Sequence, residues 1–367
     1  MGKATLAGPL QQVGRTSVLE PGQSDRLVYF AGCDYFRMSS HPEVLQALRR
    51  ALTDYGLNVA ASRKTTGNHV LYGELEQALV SFFGAESATL FSNGYMANLG
   101  AAQALAGEFT IALIDERAHS SLMEAARFLE CPIQTYPHRD PAQVARRVRR
   151  LKRQDRPLLI TDGLFAQSGE VAPLKELLRA LPARARILLD DAHGAGLLGR
   201  HGRGTLEHAG VSRRQVIQTV TLSKAFGVYG GAVLGPAQLR QQLIERSRLF
   251  AGNTPLPLPL AAAALASLSA LREDPRPRRR LIFNAAYVKS ALREAGLDPG
   301  EGPGPIIPIR PANDRAAQRL QSRLRAAGIH PPFINYLGKP GEGYFRFVIS
   351  SEHTPEQLET LIAVLRA

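Results

Sequence analysis

Val216-Ile217-Gln218-Thr219-Val220-Thr221-Leu222-Ser223-Lys224-Ala225-Phe226-Gly227 decides how this chain is read. Val216–Thr221 is a β-branched run that predicts a strand. It ends on a turn whose lysine stands among small and apolar residues. Upstream, Ile187–Leu189 predicts a second strand, followed by Asp190-Asp191-Ala192-His193. Asp190, His193 and Lys224 thus all fall just past predicted strands, and in open α/β sheets ligands bind beyond the carboxyl ends of the strands. Lysine is scarce, since 38 of the 45 basic residues are arginine. An apolar setting disfavours the ammonium and frees the amine for carbonyl chemistry. A lysine Schiff base combined with an acid on a pyridinium nitrogen is the signature of pyridoxal phosphate (PLP) chemistry.

Working outward, further strands are expected at Ala88–Phe91, Ile111–Ile114, Ile133–Tyr136, Leu158–Thr161 and Gly231–Leu234. Helical patterns lie between most of them, at Tyr95–Ala106, Ser121–Leu129, Pro141–Leu151 and Pro173–Ala180. Such alternation predicts an α/β fold with a mostly parallel sheet wrapped by helices. Leu27–Phe30 reads as an earlier strand, and Ser40-His41-Pro42-Glu43 as a capping box opening a helix. Asp274–Arg280, rich in Pro and Arg, reads as a boundary. A smaller α+β segment follows: helix Ile282–Ala295, strand Ile306–Arg310, helix Asp314–Ala327, strand Tyr344–Ser350 and a last helix opened by the capping box Thr354-Pro355-Glu356-Gln357. The expected division is an N-terminal segment 1–45, a large domain 46–273 and a C-terminal domain 274–367.

The 367 residues are ample for a large core, and 44% hydrophobic with 21% charged residues is ordinary for a globular enzyme. Cys33 and Cys131 alone imply no disulfide framework and fit a reducing, cytoplasmic setting. No signal-peptide pattern opens the chain. The apolar run Pro255 to Leu271 is too short and too proline-rich at its start to span a bilayer, and reads as a loop feeding a buried helix. The net charge of +13 gathers in Arg146 to Arg153 and Arg276 to Arg280. No nucleic-acid module accompanies it. The runs read as a solvated helix face and a charged linker, or as a rim that attracts an anionic substrate such as a coenzyme A thioester.

Several residues are candidates for chemistry. A carboxylate at Asp190 is compensated by a protonated pyridine nitrogen, and His193 has a ring hydroxyl within its reach. Read alone, the Asp-Asp-Ala-His stretch fits a strand-end cap equally well; Lys224 downstream favours the cofactor. Thr221 and Ser223, on the turn before Lys224, are candidate phosphate ligands. So is Ser92-Asn93-Gly94-Tyr95, a strand end followed by a helix N-terminus. His119 reads either as a loop or capping residue or as a ring stacked on a planar group. Arg346, inside Tyr344-Phe345-Arg346-Phe347, needs a partner: a structural carboxylate, or that of a substrate held in a bidentate fork.

These motifs together resemble the α-oxoamine synthases, PLP enzymes of fold type I, from about Tyr29 to the C-terminus. The markers are Ser62-Arg63 with Thr66-Gly67-Asn68-His69, Gly94-Tyr95 with Asn98, Asp115 with His119-Ser120-Ser121, and Asp162-Gly163-Leu164-Phe165. They continue with Asp190-Asp191-Ala192-His193-Gly194, Thr221 to Lys224 with Gly230-Gly231, and Arg346 with Glu352-His353-Thr354. The resemblance implies a mostly parallel large domain with a smaller α+β C-terminal domain. It also implies a homodimer with shared active sites. By position, Lys224 would form the Schiff base, Asp190 pair the pyridine nitrogen, His193 the phenolic oxygen, and His119 stack on the ring. Thr221, with the Gly94 and Tyr95 backbone, would hold the phosphate, and Thr254 would reach the phosphate of the other subunit. Arg346 would take the amino-acid carboxylate.

The implied reaction is a decarboxylative condensation of an α-amino acid, L-alanine first, with an acyl thioester of CoA or a carrier protein, a pimeloyl group first. An α-aminoketone, CoA and CO2 result. The chain departs from the family at Cys33, where an Asn helps bind the substrate carboxylate, at Ala166, where a Ser hydroxyl is expected, and at Phe333-Ile334-Asn335-Tyr336-Leu337. These departures leave transamination or aldol cleavage as the alternative chemistry.

Overall fold

The computed structural model describes residues 8–335 and 343–367. Tyr336 and Leu337 of the divergent stretch therefore lie outside the described residues, as does most of the Gly338–Gly343 loop. The chain divides into two compact units. One takes the described residues up to Arg37, Ala166–Glu170 and everything from Arg276 onward; the other takes Met38–Phe165 and Val171–Pro275.

The first unit opens with β1 (Gln11–Val13), β2 (Ser17–Leu19) and β3 (Leu27–Val28), a short antiparallel sheet of which only the last strand was expected. The second unit holds the seven strands of the central sheet: β4 (Ser87–Phe91), β5 (Ile111–Asp115), β6 (Ile133–Tyr136), β7 (Pro157–Asp162), β8 (Arg186–Asp190), β9 (Val216–Thr221) and β10 (Gly231–Gly235). Their order is β4-β10-β9-β8-β7-β5-β6. Pairing from β9 through β6 is parallel, while β10 runs antiparallel to both its neighbours. The mostly parallel sheet expected from the sequence is thus present, with one reversed strand. Because β9 and β10 are antiparallel neighbours, residues 222–230, with Lys224 among them, form a hairpin connection and not a crossover.

Both faces of this sheet are covered, as parallel strands require. Ala112, Ile114, Leu158, Ile160 and Leu188 face one core. Against it lie α3 (Gly94–Ala104), α4 (Ser120–Ala126) and α8 (Ala237–Arg246). Ile111, Leu113, Leu159, Ile187 and Leu189 alternate onto the opposite core. That side is packed by α5 (Pro141–Val148), α6 (Leu174–Ala180) and α7 (Thr205–Ala209). Before the sheet come α1 (Pro42–Tyr55) and α2 (Val70–Phe83); after it come α9 (Arg248–Ala251) and the apolar α10 (Leu258–Glu273), which packs on α1 and α2. The prolines ahead of α10 do form a loop feeding a largely buried helix.

Two expectations are corrected here. The helix expected after Ser40 is present, but its N-cap is His41, with no capping side-chain bond; Ser40 closes a 3-10 turn instead. Arg276 to Arg280 is no linker, because α11 (Arg276–Glu294) starts at Arg276 and buries Arg278. Pro277 fits there because the first helical turn needs no backbone donor.

The rest of the first unit is β11 (Ile306–Ile309), α12 (Asp314–Ala326), β12 (Phe333–Ile334), β13 (Tyr344–Val348) and α13 (Pro355–Arg366). The three strands pair antiparallel in the order β11-β13-β12. Thr354 and Gln357 form the expected capping box of α13. Phe345, Phe347 and Ile349 join Val288, Leu292, Leu324 and Leu361 in one core.

His353, buried beside that core, accepts from the Ser350 amide at Nδ1 (2.9 Å) and lies 3.2 Å from the Tyr29 carbonyl at Nε2, so the folded ring is neutral with its proton on Nε2. Burial pushes its pKa down to about 3; Arg37 adds to the shift and the Tyr29 carbonyl opposes it. The unfolded imidazole takes a proton near pH ~6.5 that the folded ring refuses. Stability is therefore lost as pH falls from ~6.5 toward the folded value, by on the order of 2 kcal/mol at pH ~5. Denaturant midpoints compared at neutral and mildly acid pH should fall less steeply in His353→Gln than in the wild type. The comparison cancels the opposing contribution of Asp191, whose carboxyl burial pushes up to about 6.

Candidate active site

The carboxyl ends of the central strands converge on one edge of the second unit. Asp115, Asp162, Asp190 and Thr221 are the last residues of β5, β7, β8 and β9, and all four are buried. Register aligns Asp162 with Asp190 and Asp190 with Thr219. Asp190 is 8% exposed. Its Oδ1 accepts from the Ala192 amide at 2.9 Å and its Oδ2 from Asn98 Nδ2 at 2.6 Å. Both donors are neutral, so among the described residues this buried carboxylate is held without an ion pair, which is costly unless a cation completes it.

His193, in the turn after β8, is buried and lies 2.7 Å through Nε2 from Lys224 Nζ. The structure therefore brings Lys224 and His193 together, as their placement after adjacent strands implied. Asp191, the other acid of that stretch, faces away from this chemistry. It is fully buried and accepts from the Thr205 hydroxyl, the Thr205 amide and Gln218.

His119 is the N-cap of α4, with Nδ1 accepting from the Ser121 amide. The capping reading of this residue is therefore right, and it does not compete with a role for the ring. Its backbone amide donates to Asp162 Oδ2 at 2.8 Å. Desolvation pushes the His119 imidazole below its usual pKa, with Asp190 opposing and Lys224 adding to the shift. Burial holds the Asp162 carboxyl well above its usual range, and neighbouring Asp190 adds to that.

Gly94 opens α3, whose N-cap Asn93 accepts from the Met96 amide at 2.9 Å. A Cβ on Gly94 would stand 2.9 Å from Thr221 Cβ, and one on Gly231 would stand 2.4 Å from the Asn93 carbonyl carbon. These two close approaches bring the open amides of the helix N-terminus beside the β9 turn. Thr221 Oγ1 donates to the Gly230 carbonyl (3.1 Å) and accepts from the Ser223 amide (3.2 Å). Ser223 and Tyr95 are exposed, and the Tyr95 hydroxyl bonds Glu124. Thr254, beyond α9, is exposed and lines a cavity with Arg63, Ser92 and Asn253.

In the first unit, Arg346 alternates with buried Phe345 and Phe347 on β13. Its Nη1 reaches the Ala166 carbonyl at 3.5 Å and its Nη2 the Cys33 sulfur at 3.9 Å. Cys33 and Ala166, two of the three points of departure, are thus the residues beside this guanidinium. Burial pushes the neighbouring Tyr35 hydroxyl well up, and Cys33 adds to that.

Asn98, which the sequence reading leaves without a role, is 1% exposed and bonds Asp190, Ser121 and Thr219. The signal was available: a polar residue on the buried face of a helix otherwise lined by Ala97, Ala101 and Ala104 must find partners.

The donor set suits a pyridoxal group. There is an amine for the aldehyde, a buried carboxylate lacking a cation for the ring nitrogen, and helix-terminal amides beside a hydroxyl for the phosphate. Residues 28–365 match the model of the class I and II aminotransferases, and the chain belongs to that family. An 8-amino-7-oxononanoate synthase of Methylococcus capsulatus is 36% identical over 345 residues, 92% of this chain and 88% of that one. Serine palmitoyltransferase of Sphingomonas wittichii superposes with a TM-score of 0.90 at 28% identity, covering 97% of this chain and 90% of that one. A second serine palmitoyltransferase structure, solved with its PLP internal aldimine, matches at a TM-score of 0.90 and 27% identity with the same coverage. Within the family the chain is a PLP-dependent acyltransferase of the α-oxoamine synthase group, similar to the 8-amino-7-oxononanoate synthases.

Gly94→Ala tests the phosphate cradle. The added methyl forces α3 from the β9 turn, and overpacking of this kind costs ~1–3 kcal/mol. The PLP dissociation constant of the apoenzyme should rise about tenfold, as read by cofactor titration.

Proposed function

We propose that the protein condenses L-alanine with a pimeloyl thioester, of CoA or a carrier protein, to give an α-aminoketone, CO2 and the free thiol. The observation that carries this reading is the convergence of Lys224, His193 and Asp190 on one sheet edge, with Lys224 Nζ 2.7 Å from His193 Nε2. The choice of substrates is supported by the names of the curated relatives, several of them 8-amino-7-oxononanoate synthases.

When bound, pyridoxal phosphate supplies an electron sink for negative charge at the amino acid's Cα. Asp190 would hold the proton on the ring nitrogen. His193 would bond the ring's phenolic oxygen and steady the Lys224 amine. His119 would cover the ring face. The Gly94 and Tyr95 amides, with Thr221 and Ser223, would hold the phosphate, and Thr254 would serve the phosphate of a partner subunit in a homodimer. Lys224 would anchor the cofactor and, as general base, take the Cα proton. Arg346 binds the substrate carboxylate, with Cys33 beside its guanidinium.

No helix among the described residues is long and apolar enough to cross a membrane. Both cysteines are free, which supports a cytoplasmic setting.

Thiol release from a panel of acyl-CoA thioesters, assayed with L-alanine, glycine and L-serine, tests the reading. Release that requires L-alanine and pimeloyl-CoA is the expected result. Conversion of the bound cofactor to its amine form with no thiol release from any thioester would instead establish transamination. Lys224→Ala should lower kcat by at least ~10²–10⁴. Arg346→Ala should raise KM for the amino acid about 10- to 100-fold, through the loss of a charge-assisted bond.

A further inference from the structure

We infer that Asn98 is a positioning residue that fixes the plane of the Asp190 carboxylate and aims the Ser121 hydroxyl at His119, whose neutral ring carries its proton on Nε2. Its functional meaning rests on the proposed reading of Asp190 and His119 as groups that face the cofactor ring.

Asn98 is buried in α3 and uses every polar position it has. Nδ2 donates to Asp190 Oδ2 at 2.6 Å and to Ser121 Oγ at 2.9 Å, and Oδ1 accepts from Thr219 Oγ1 at 2.5 Å. An ionised carboxylate only accepts, so the NH2 side must face Asp190 and the amide cannot flip. Ala192 occupies the other Asp190 oxygen. Rotation of the carboxylate therefore breaks at least one bond, and its plane is fixed before any ligand arrives.

The same amide orients the Ser121 hydroxyl that faces His119. The Ser121 hydroxyl accepts from Asn98, which leaves its own proton for His119 Nδ1 at 2.7 Å. The Ser121 backbone N–H also points at Nδ1, at 3.2 Å. A backbone N–H has no acceptor function, so Nδ1 carries no proton and the neutral ring must be the Nε2–H form. Thr219, Asn98, Ser121 and His119 thus form one directed chain, with Asp190 on its branch.

The test uses holoenzyme labelled with 15N-histidine, with the His119 signals assigned by their loss in His119→Asn. The expected ring shifts are those of a neutral Nε2–H imidazole. A neutral Nδ1–H ring in the wild type overturns the inference whatever any variant does. The PLP dissociation constant of the apoenzyme is then measured for Asn98→Leu, Ser121→Ala and the pair. Asn98→Leu should weaken binding about tenfold, and the double variant should fall short of the product of the single effects. A folded Asn98→Leu protein with reduced melting temperature but with wild-type cofactor affinity would reduce Asn98 to a packing role and overturn the inference. Should Asn98→Leu not fold, Asn98→Ser is read in its place, and wild-type cofactor affinity in it overturns the inference. Failure of the wild type to bind PLP at all would instead sink the reading of the site.

Discussion

The bond between Asn98 and Asp190 is the constraint on which the site depends. It joins a helix on one face of the sheet to the end of a central strand. A buried carboxylate with only neutral donors costs stability in the folded protein. In the proposed reading a protonated ring nitrogen would offset that cost, so cofactor affinity and cofactor electronics would come from the same deficit. Around it, glycines at 94 and 231 let a helix N-terminus and two strand ends approach closely.

The central sheet was legible in the sequence because its strands, apart from the edge strand β6, are buried on both faces. Ile111 to Ile114 reads as an unbroken apolar run and Val216 to Thr221 as a largely β-branched one interrupted only by Gln218, and both are buried throughout. The meeting of Lys224 with His193 was legible too, since Lys224 and Asp190 to His193 sit at the ends of those runs. The capping box at Thr354 was visible, because that motif is local.

What was not legible follows from the same physics. Gln11 to Val13 and Ser17 to Leu19 are three residues each, too short for alternation to mark a strand apart from its partner. Helix α2 begins at a His cap and carries Gly73 near its start, with aromatic and β-branched residues of modest helix propensity; tertiary burial of Leu75, Leu79 and Phe82 holds it. The basic stretch at 276–280 read as a linker because charge suggests solvent, whereas Arg278 is buried in α11. At Ser40 the motif was present, but the turn before it took the serine.

The reversed strand β10 has one more consequence. In a crossover, the chain that leaves a strand end must travel a helix's length before it returns, so a lysine there would ride on a segment held at one end. Here the chain comes straight back. Leu222 donates to the Gly230 carbonyl at 2.9 Å, and Val228 donates to the Leu222 carbonyl at 2.8 Å. The lysine therefore hangs from a short loop moored at both ends to the same edge, whose closure entropy is small. In the proposed role its long side chain would leave and regain its station while the main chain stays moored, and a nucleophile displaced and returned in every cycle would gain its fidelity from that leash.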